Sequence, residues 1–314
     1  MKRALIIGAS GQDGQLLTQS LQRDGYSVTG LGRKDIDLAD RAAVMRVVER
    51  ERPDEAYYVA AHHHSADDDL GDCAELLAKS FEVNVGGLIA VLEGIRRNSP
   101  STRLFYCASA HVFGQPADSP LTERTPINPT CAYGITKASG LQCCRFYRQN
   151  SGVFASVGIL FNHDSPLRRA TAVSQKIVRG VADILAGRKE HLILGNTAAR
   201  IDWGHAPDAV RAMRSILALP EPDDFVIATG QTHSIQEFVE IAFRHAGLDW
   251  RRHIRENPAI LTKPHRTLIG DPSKLRAAAN WTNTVSFEDM VVEMLHAQLD
   301  APPDSHLRSD LQRG

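Results

Sequence analysis

The sequence opens with a short apolar run, Ala4 to Ile7, that breaks at Gly8. Gly11 and Gly14 follow, and then a leucine-bearing stretch. This order constrains the fold more than any other feature. An apolar run ending in glycine reads as a buried parallel strand. Leu16, Leu17 and Leu21 stand at helical spacing, and Gly25 stops the helix. Strand, G-x-x-G-x-x-G turn and helix N-terminus together suit a pyrophosphate. The glycines let the backbone approach, and the helix end favours negative charge. A tight turn without a ligand is the plainer reading, and the complete βαβ context weighs against it.

The alternation continues. Strands are expected at 27–32, 55–61, 103–109 and 155–162, and helices at 41–53, 84–100 and 132–152. This predicts an α/β fold, a Rossmann-like doubly wound parallel sheet with helices on both faces. After Asn162 the rhythm changes. Helices are expected at 171–188, 205–219, 234–247 and 286–299, with strands at 191–195 and 223–230. Ser234 with Glu237, and Ser286, offer helix caps. The 314 residues can bury a large core without staples. The expected division is 1–165 plus about 205–232 for one domain, and 166–204 with 233–300 for a smaller C-terminal α/β domain. Residues 301–314 form a Pro- and charge-rich tail.

A net charge of −1 sets up no field for nucleic acid or acidic lipid, so small molecules in a pocket are the expected partners. The five cysteines include one adjacent pair and no C-x-x-C. That is neither a disulfide framework nor a zinc ribbon, and a reducing cytoplasm is expected. The N-terminus reads as a strand rather than a signal peptide. No apolar run reaches the roughly 18 residues of a membrane span.

Two stretches carry chemistry. The second strand ends in Arg33 and Lys34, with Asp35 beside them. Cations there suit a 2′-phosphate, hence NADP rather than NAD. Tyr133 and Lys137 lie four apart on a helix and share a face. The ammonium is expected to lower the phenol's pKa, so that Tyr133 can exchange a proton with a sugar hydroxyl. Ser109, where the fourth strand ends, can hydrogen-bond the same oxygen. His62, His63 and His64 alternate sides of an extended chain, so a metal is not expected. The acidic stretch 67–75 reads as a solvated loop, and Cys143–Cys144 as packing residues.

These motifs resemble the extended short-chain dehydrogenase/reductase family. "GQDGQLL", "GILFNHDSP", "RIDWGHAPD", "DDFVIATGQTHSIQEFVEIAF" and "GDPSKL" resemble GDP-mannose 4,6-dehydratases, over residues 3 to about 293. The resemblance implies an NADP-binding domain and a smaller domain that binds a nucleotide sugar. It implies cofactor contacts at Gly8, Gly11, Gln12, Asp13, Gly14, Arg33, Asp37 and Leu38. Ala60, Ala61, His63, Tyr133, Lys137, His163 and Arg168 would complete them. Asn162, Lys176 and Arg200 would face the sugar nucleotide, Arg200 as a fork for the diphosphate. The implied reaction starts when Tyr133 takes the C4 hydroxyl proton as hydride leaves C4. Water is then lost across C5–C6, and hydride returns at C6.

The chain departs from that family in three places. Where the dehydratases carry threonine, serine and glutamate, it has Ser109, Ala110 and His111. The glutamate normally takes the C5 proton, and histidine can move protons near neutral pH. One reading is therefore a 4,6-dehydratase with catalytic Ser109, His111, Tyr133 and Lys137. Another is a 4-reductase or 4-epimerase, for which Ser109, Tyr133 and Lys137 suffice. A third is a nucleotide-binding protein without chemistry. Leu261 and Pro264 stand where the family has an arginine and a glutamate for the nucleotide, with Lys263, His265 or Arg266 as substitutes. The loop from Arg33 to Asp37 is shorter than the loop that helps join the family's subunits into tetramers, so a homodimer is expected.

Overall fold

The computed structural model describes residues 1–62, 73–116, 119–260 and 267–300. The chain begins with β1 (Arg3–Ile7), α1 (Gln12–Arg23), β2 (Ser27–Leu31), α2 (Arg41–Glu51) and β3 (Glu55–Tyr58). Next come α3 (Cys73–Phe81), a π-helical turn (Glu82–Gly86) and α4 (Gly87–Asn98). Then β4 (Arg103–Ser109) leads through a 3-10 turn (Ala110–Phe113) to α5 (Ala132–Ser151) and β5 (Ala155–Leu160). Past these lie β6 (Asn162–Asp164), α6 (Val173–Leu185), β7 (Leu192–Leu194), β8 (Arg200–His205), α7 (Ala206–Ala218) and β9 (Asp224–Ile227). The chain continues through β10 (Thr232–Ser234), α8 (Ile235–His245), α9 (Trp250–His253), β11 (Ile254–Glu256), α10 (Ser273–Ala279) and α11 (Phe287–Leu299).

Six strands form one parallel sheet in the order β2-β1-β3-β4-β5-β9. Strand alternation sends side chains to two cores. Leu5, Ile7, Tyr58 and Tyr106 meet Val44 and Val48 of α2 and Leu88, Val91 and Ile95 of α4. Ile6, Tyr57 and Phe105 meet Leu17 and Leu21 of α1 and Met213 and Ile216 of α7. The sheet is thus covered on both faces, as the continuous apolar strands require. Strand order reverses at β1, which has β2 on one side and β3 on the other. Ligands of such sheets bind beyond the carboxyl ends of the strands at this switch point.

The later elements build a smaller layer. A three-stranded sheet β10-β8-β6 and a β11-β7 pair accompany a third core. Ile177, Val181, Trp203, Phe238, Phe243, Met290 and Leu295 fill it from α6, β8, α8 and α11. Leu275 of α10 and Trp281 pack instead with α7 and β9 against the main sheet. Ser234 and Ser286 cap α8 and α11, accepting from the N–H groups of Glu237 at 3.0 Å and Asp289 at 3.1 Å. The strand expected through Asn162 ends at Leu160, and Asn162 opens β6 in the other sheet. Cys73–Glu75, read as the end of an acidic loop, begin α3 instead. Among the described residues, no helix is long and apolar enough to cross a membrane.

Candidate active site

The loop between β1 and α1 is shaped for close backbone approach. Gly8 has φ +102°, and a Cβ there would stand 2.5 Å from Ala60 N. A Cβ on Gly14 would stand 2.3 Å from Gly8 O. Gly11, the residue before α1, has no side chain to cap the first-turn N–H groups. These donors and the helix dipole therefore suit a phosphate, so the cradle fits the pyrophosphate of a dinucleotide. At the tip of β2, Asp35 Oδ2 accepts from Gly32 N at 2.7 Å, which binds its carboxylate into the turn. Arg33 beside it is exposed. Asp37 Oδ1 accepts from Ala39 N at 3.0 Å. Leu38 packs so close to Gly87 that a Cβ there would lie 3.0 Å from its own. Ala60 N donates to Ile7 O at 2.8 Å, and Ala61 is exposed just beyond. His63 lies outside the described residues, as do 261–266.

Gln12 and Asp13, at the start of α1, are joined to the chain that follows β5. His163 Nε2 lies 3.1 Å from both Asp13 oxygens, and its Nδ1 lies 2.7 Å from Phe161 O. Both partners are acceptors, so both ring nitrogens carry protons and the ring is an imidazolium. Burial opposes that charge, but the Asp13 carboxylate and the Phe161 carbonyl outweigh it and raise the His163 pKa. Burial likewise opposes the Asp13 charge, yet His163 and Gln12 hold Asp13 down at about 2. Gln12 Nε2 also donates to His163 O at 3.1 Å, and Ser165 Oγ donates to Gln12 Oε1 at 2.9 Å. Arg168 Nε forms an ion pair with Asp164 Oδ1 at 2.8 Å. Asp164 Oδ2 accepts from Trp203 Nε1 at 2.9 Å.

The candidate catalytic groups meet at the carboxyl end of β4. Ser109, its last residue, acts through its hydroxyl to lower the Tyr133 pKa and accepts from His111 N at 3.3 Å. His111, on the 3-10 turn, is exposed, and its ring meets that of Tyr133 edge-on with centroids 5.8 Å apart. Lys137 is buried one helical turn beyond Tyr133. Its Nζ donates to Cys107 O at 2.6 Å and lies 5.7 Å from the Tyr133 ring centroid.

The expected lowering of the phenol is not found. Burial, with Cys107, raises the Tyr133 pKa, while Arg168, the Ser109 hydroxyl and Arg169 pull it back only in part. Burial lowers the Lys137 pKa. In the free protein the phenol therefore rests protonated, and lysine alone does not ionise it.

Three contributors carried no signal in the sequence. Asn84 sits on the π-helical turn, a feature frequent at functional sites. Its amide accepts from His62 N at 2.8 Å and donates to His62 O at 3.1 Å and Thr136 Oγ1 at 2.9 Å. It thereby holds the chain after β3 against the Tyr133 helix. Arg169 acts on Tyr133 by charge. Cys131, read only as one of five thiols, is the N-cap of α5. Of the substrate candidates, Asn162 lines a crevice with His163, Gly204, His205 and Thr229. Lys176 is half-buried on α6. Arg200 is exposed on β8, where its Nε donates to Thr232 Oγ1 at 3.0 Å and its Nη1 to Glu237 at 3.0 Å.

The chain is similar to proteins of one family over most of its length. The family model described as GDP-mannose 4,6 dehydratase matches residues 34–294. The GDP-mannose 4,6 dehydratase of Drosophila melanogaster is 32% identical, over 95% of this chain and 86% of that protein. The Homo sapiens protein of the same name is 32% identical, over 95% and 91%. Among solved structures, RMD from Pseudomonas aeruginosa complexed with NADPH superposes with a TM-score of 0.84 at 20% identity, covering 95% of this chain and 99% of that one. Thermus thermophilus UDP-glucose 4-epimerase with NAD gives 0.80 at 20%, covering 96% and 100%. At such identities the structures attest the Rossmann fold alone.

Proposed function

Because the chain belongs to the GDP-mannose 4,6-dehydratase family, we propose that it is an NADP-dependent nucleotide-sugar 4,6-dehydratase. The observation that carries this reading is the convergence of Ser109, His111 and Tyr133 around one point at the end of β4. A bound nicotinamide dinucleotide supplies the hydride acceptor for C4 and the donor for C6. The chain's own groups supply the rest. Tyr133 takes the C4 hydroxyl proton, and Ser109 hydrogen-bonds that oxygen. His111 takes the C5 proton and delivers one to the departing C6 hydroxyl. It then relays from solvent the proton that C5 regains as C6 is reduced, while the proton Tyr133 took passes to solvent. Lys137 keeps a buried cation beneath the phenol, favouring phenolate once the site is filled. Asn162, Lys176 and Arg200 hold the nucleotide sugar.

Incubation with GDP-mannose and NADP is expected to yield a 4-keto-6-deoxy product, with the C5 proton exchanging with solvent. Absence of both results rejects the reading. Histidine in the glutamate's position favours one competitor, a 4-epimerase or 4-reductase. Epimer formation without water loss, or NADPH consumption on a 4-keto-sugar nucleotide, identifies it.

Arg33 supports NADP over NAD. Arg33→Ala is expected to weaken NADP binding by roughly tenfold or more and to leave NAD binding unchanged, as read by calorimetry. The exposed Ile135 and Phe146 on α5, with Phe81 on α3, support a homodimer through that face, testable by sedimentation of Phe146→Glu. The net charge and reduced thiols support a cytoplasmic location.

A further inference from the structure

A carboxylate has two equivalent oxygens, and either can take a proton. An imidazole has two different nitrogens, and only the unprotonated one can act as a base. Replacing the family's glutamate by His111 therefore creates a requirement: something must fix which nitrogen carries the proton. The His111 backbone is held, its N donating to Ser109 Oγ at 3.3 Å and its carbonyl accepting from Gly114 N at 3.3 Å. A Cβ on Gly134 would stand 2.5 Å from His111 O, so α5 begins directly against this turn. That contact brings Cys131 to the ring. Cys131 Sγ lies 3.9 Å from His111 Nδ1 and accepts from Gly134 N at 3.4 Å. Thiol and phenol, two residues apart, flank one imidazole.

Resting on the dehydratase reading above, we infer that Cys131 is a positioning residue for His111. Its sulfur accepts the Nδ1 proton in a hydrogen bond, so Nε2 is the nitrogen that takes the sugar's C5 proton. The C5–H and C6–O bonds break and the C5–C6 double bond forms. The proton held on Nε2 leaves with the C6 hydroxyl as water. The helix N-terminus beneath the sulfur favours the negative charge that this bond draws onto it. Geometry sets a preference for Cys131 or Ser at this position, because both can cap α5 and accept from Nδ1, whereas alanine does neither.

The test uses full-length protein with ¹⁵N-labelled histidine at about pH 8, where an ordinary imidazole is neutral. The His111 resonance is assigned by its loss in His111→Gln. Wild type and Cys131→Ser are expected to show protonated Nδ1 and bare Nε2, and Cys131→Ala a mixture of tautomers. A wild-type ring protonated on Nε2, or the same spectrum in Cys131→Ala, overturns the inference. With GDP-mannose and NADP, Cys131→Ala is expected to lower kcat and C5 exchange about tenfold at unchanged KM, and Cys131→Ser to restore both. If wild type makes no product, the dehydratase reading fails, while the tautomer still decides whether the thiol orients the ring.

Discussion

His163 sits between a carboxylate and a carbonyl, and it ties the dinucleotide loop to the chain beyond β5. Its raised pKa gives the pair a definite pH dependence. The stability it contributes is complete below the ordinary histidine value of about 6.5 and is lost as pH rises through the raised value. Asp13, lowered to about 2, loses its share only as pH falls from about 4 toward that value. The Tm advantage of wild type over His163→Gln is therefore expected to be largest near pH 5–6 and to shrink by pH 9. A constant difference across that range contradicts the imidazolium assignment. Tyr133→Phe is expected to cost roughly 10²–10⁴ in turnover while nucleotide-sugar affinity, measured by calorimetry, stays put. Tyr133, Lys137 and Ser109 were legible because each is a known chemical type at a fixed offset from a strand or on one helix face. Cys131 and Asn84 were not, because their roles come from contacts across 20 and 52 positions of sequence. The phenol's pKa is not legible in the sequence for a related reason. Spacing reveals a neighbouring cation but not the depth of burial that opposes it.

At the scale of elements, the β1–α1 turn is the least tolerant. Gly14→Ala would drive a Cβ into Gly8 O and into Ala9 Cα at 2.6 Å. Both obstacles are backbone, so the loop must deform. A loss of about 1–3 kcal/mol and a cofactor affinity weakened at least tenfold are expected, measured by chemical denaturation and titration. Unchanged affinity would mean that the loop does not cradle the dinucleotide. The sequence showed most parallel strands because each is buried on both faces and reads as an apolar run. It showed the Ser234 and Ser286 caps because capping chemistry is local. It missed α3, because an acidic run precedes it, and the π-helical turn, which runs directly into α4 and whose single extra residue has no composition signal of its own. β8 was missed as a strand because Arg200–His205 mixes a charge, a carboxylate and histidine, each explained by tertiary contacts.

Across the whole molecule, one carboxylate joins the two layers. Asp202 of β8 is buried and accepts from Thr229 N at 2.9 Å, Thr229 Oγ1 at 2.6 Å, Gly230 N at 3.1 Å and Gly270 N at 3.0 Å. Burial raises its pKa, and these four donors restrain the rise. Asp202→Asn would turn an amide N–H₂ toward backbone donors. The expected cost is roughly 3 kcal/mol, visible as a drop of several degrees in Tm, and a loss under about 0.5 kcal/mol would show the junction to be dispensable. The sequence contained this aspartate inside a family motif, but nothing local marked it as a joint, since its donors come from two distant loops. Parting the layers along this seam would break four hydrogen bonds at once. That joint is therefore expected to hold while other edges of the molecule move, so that the crevice beside Thr229 keeps its width.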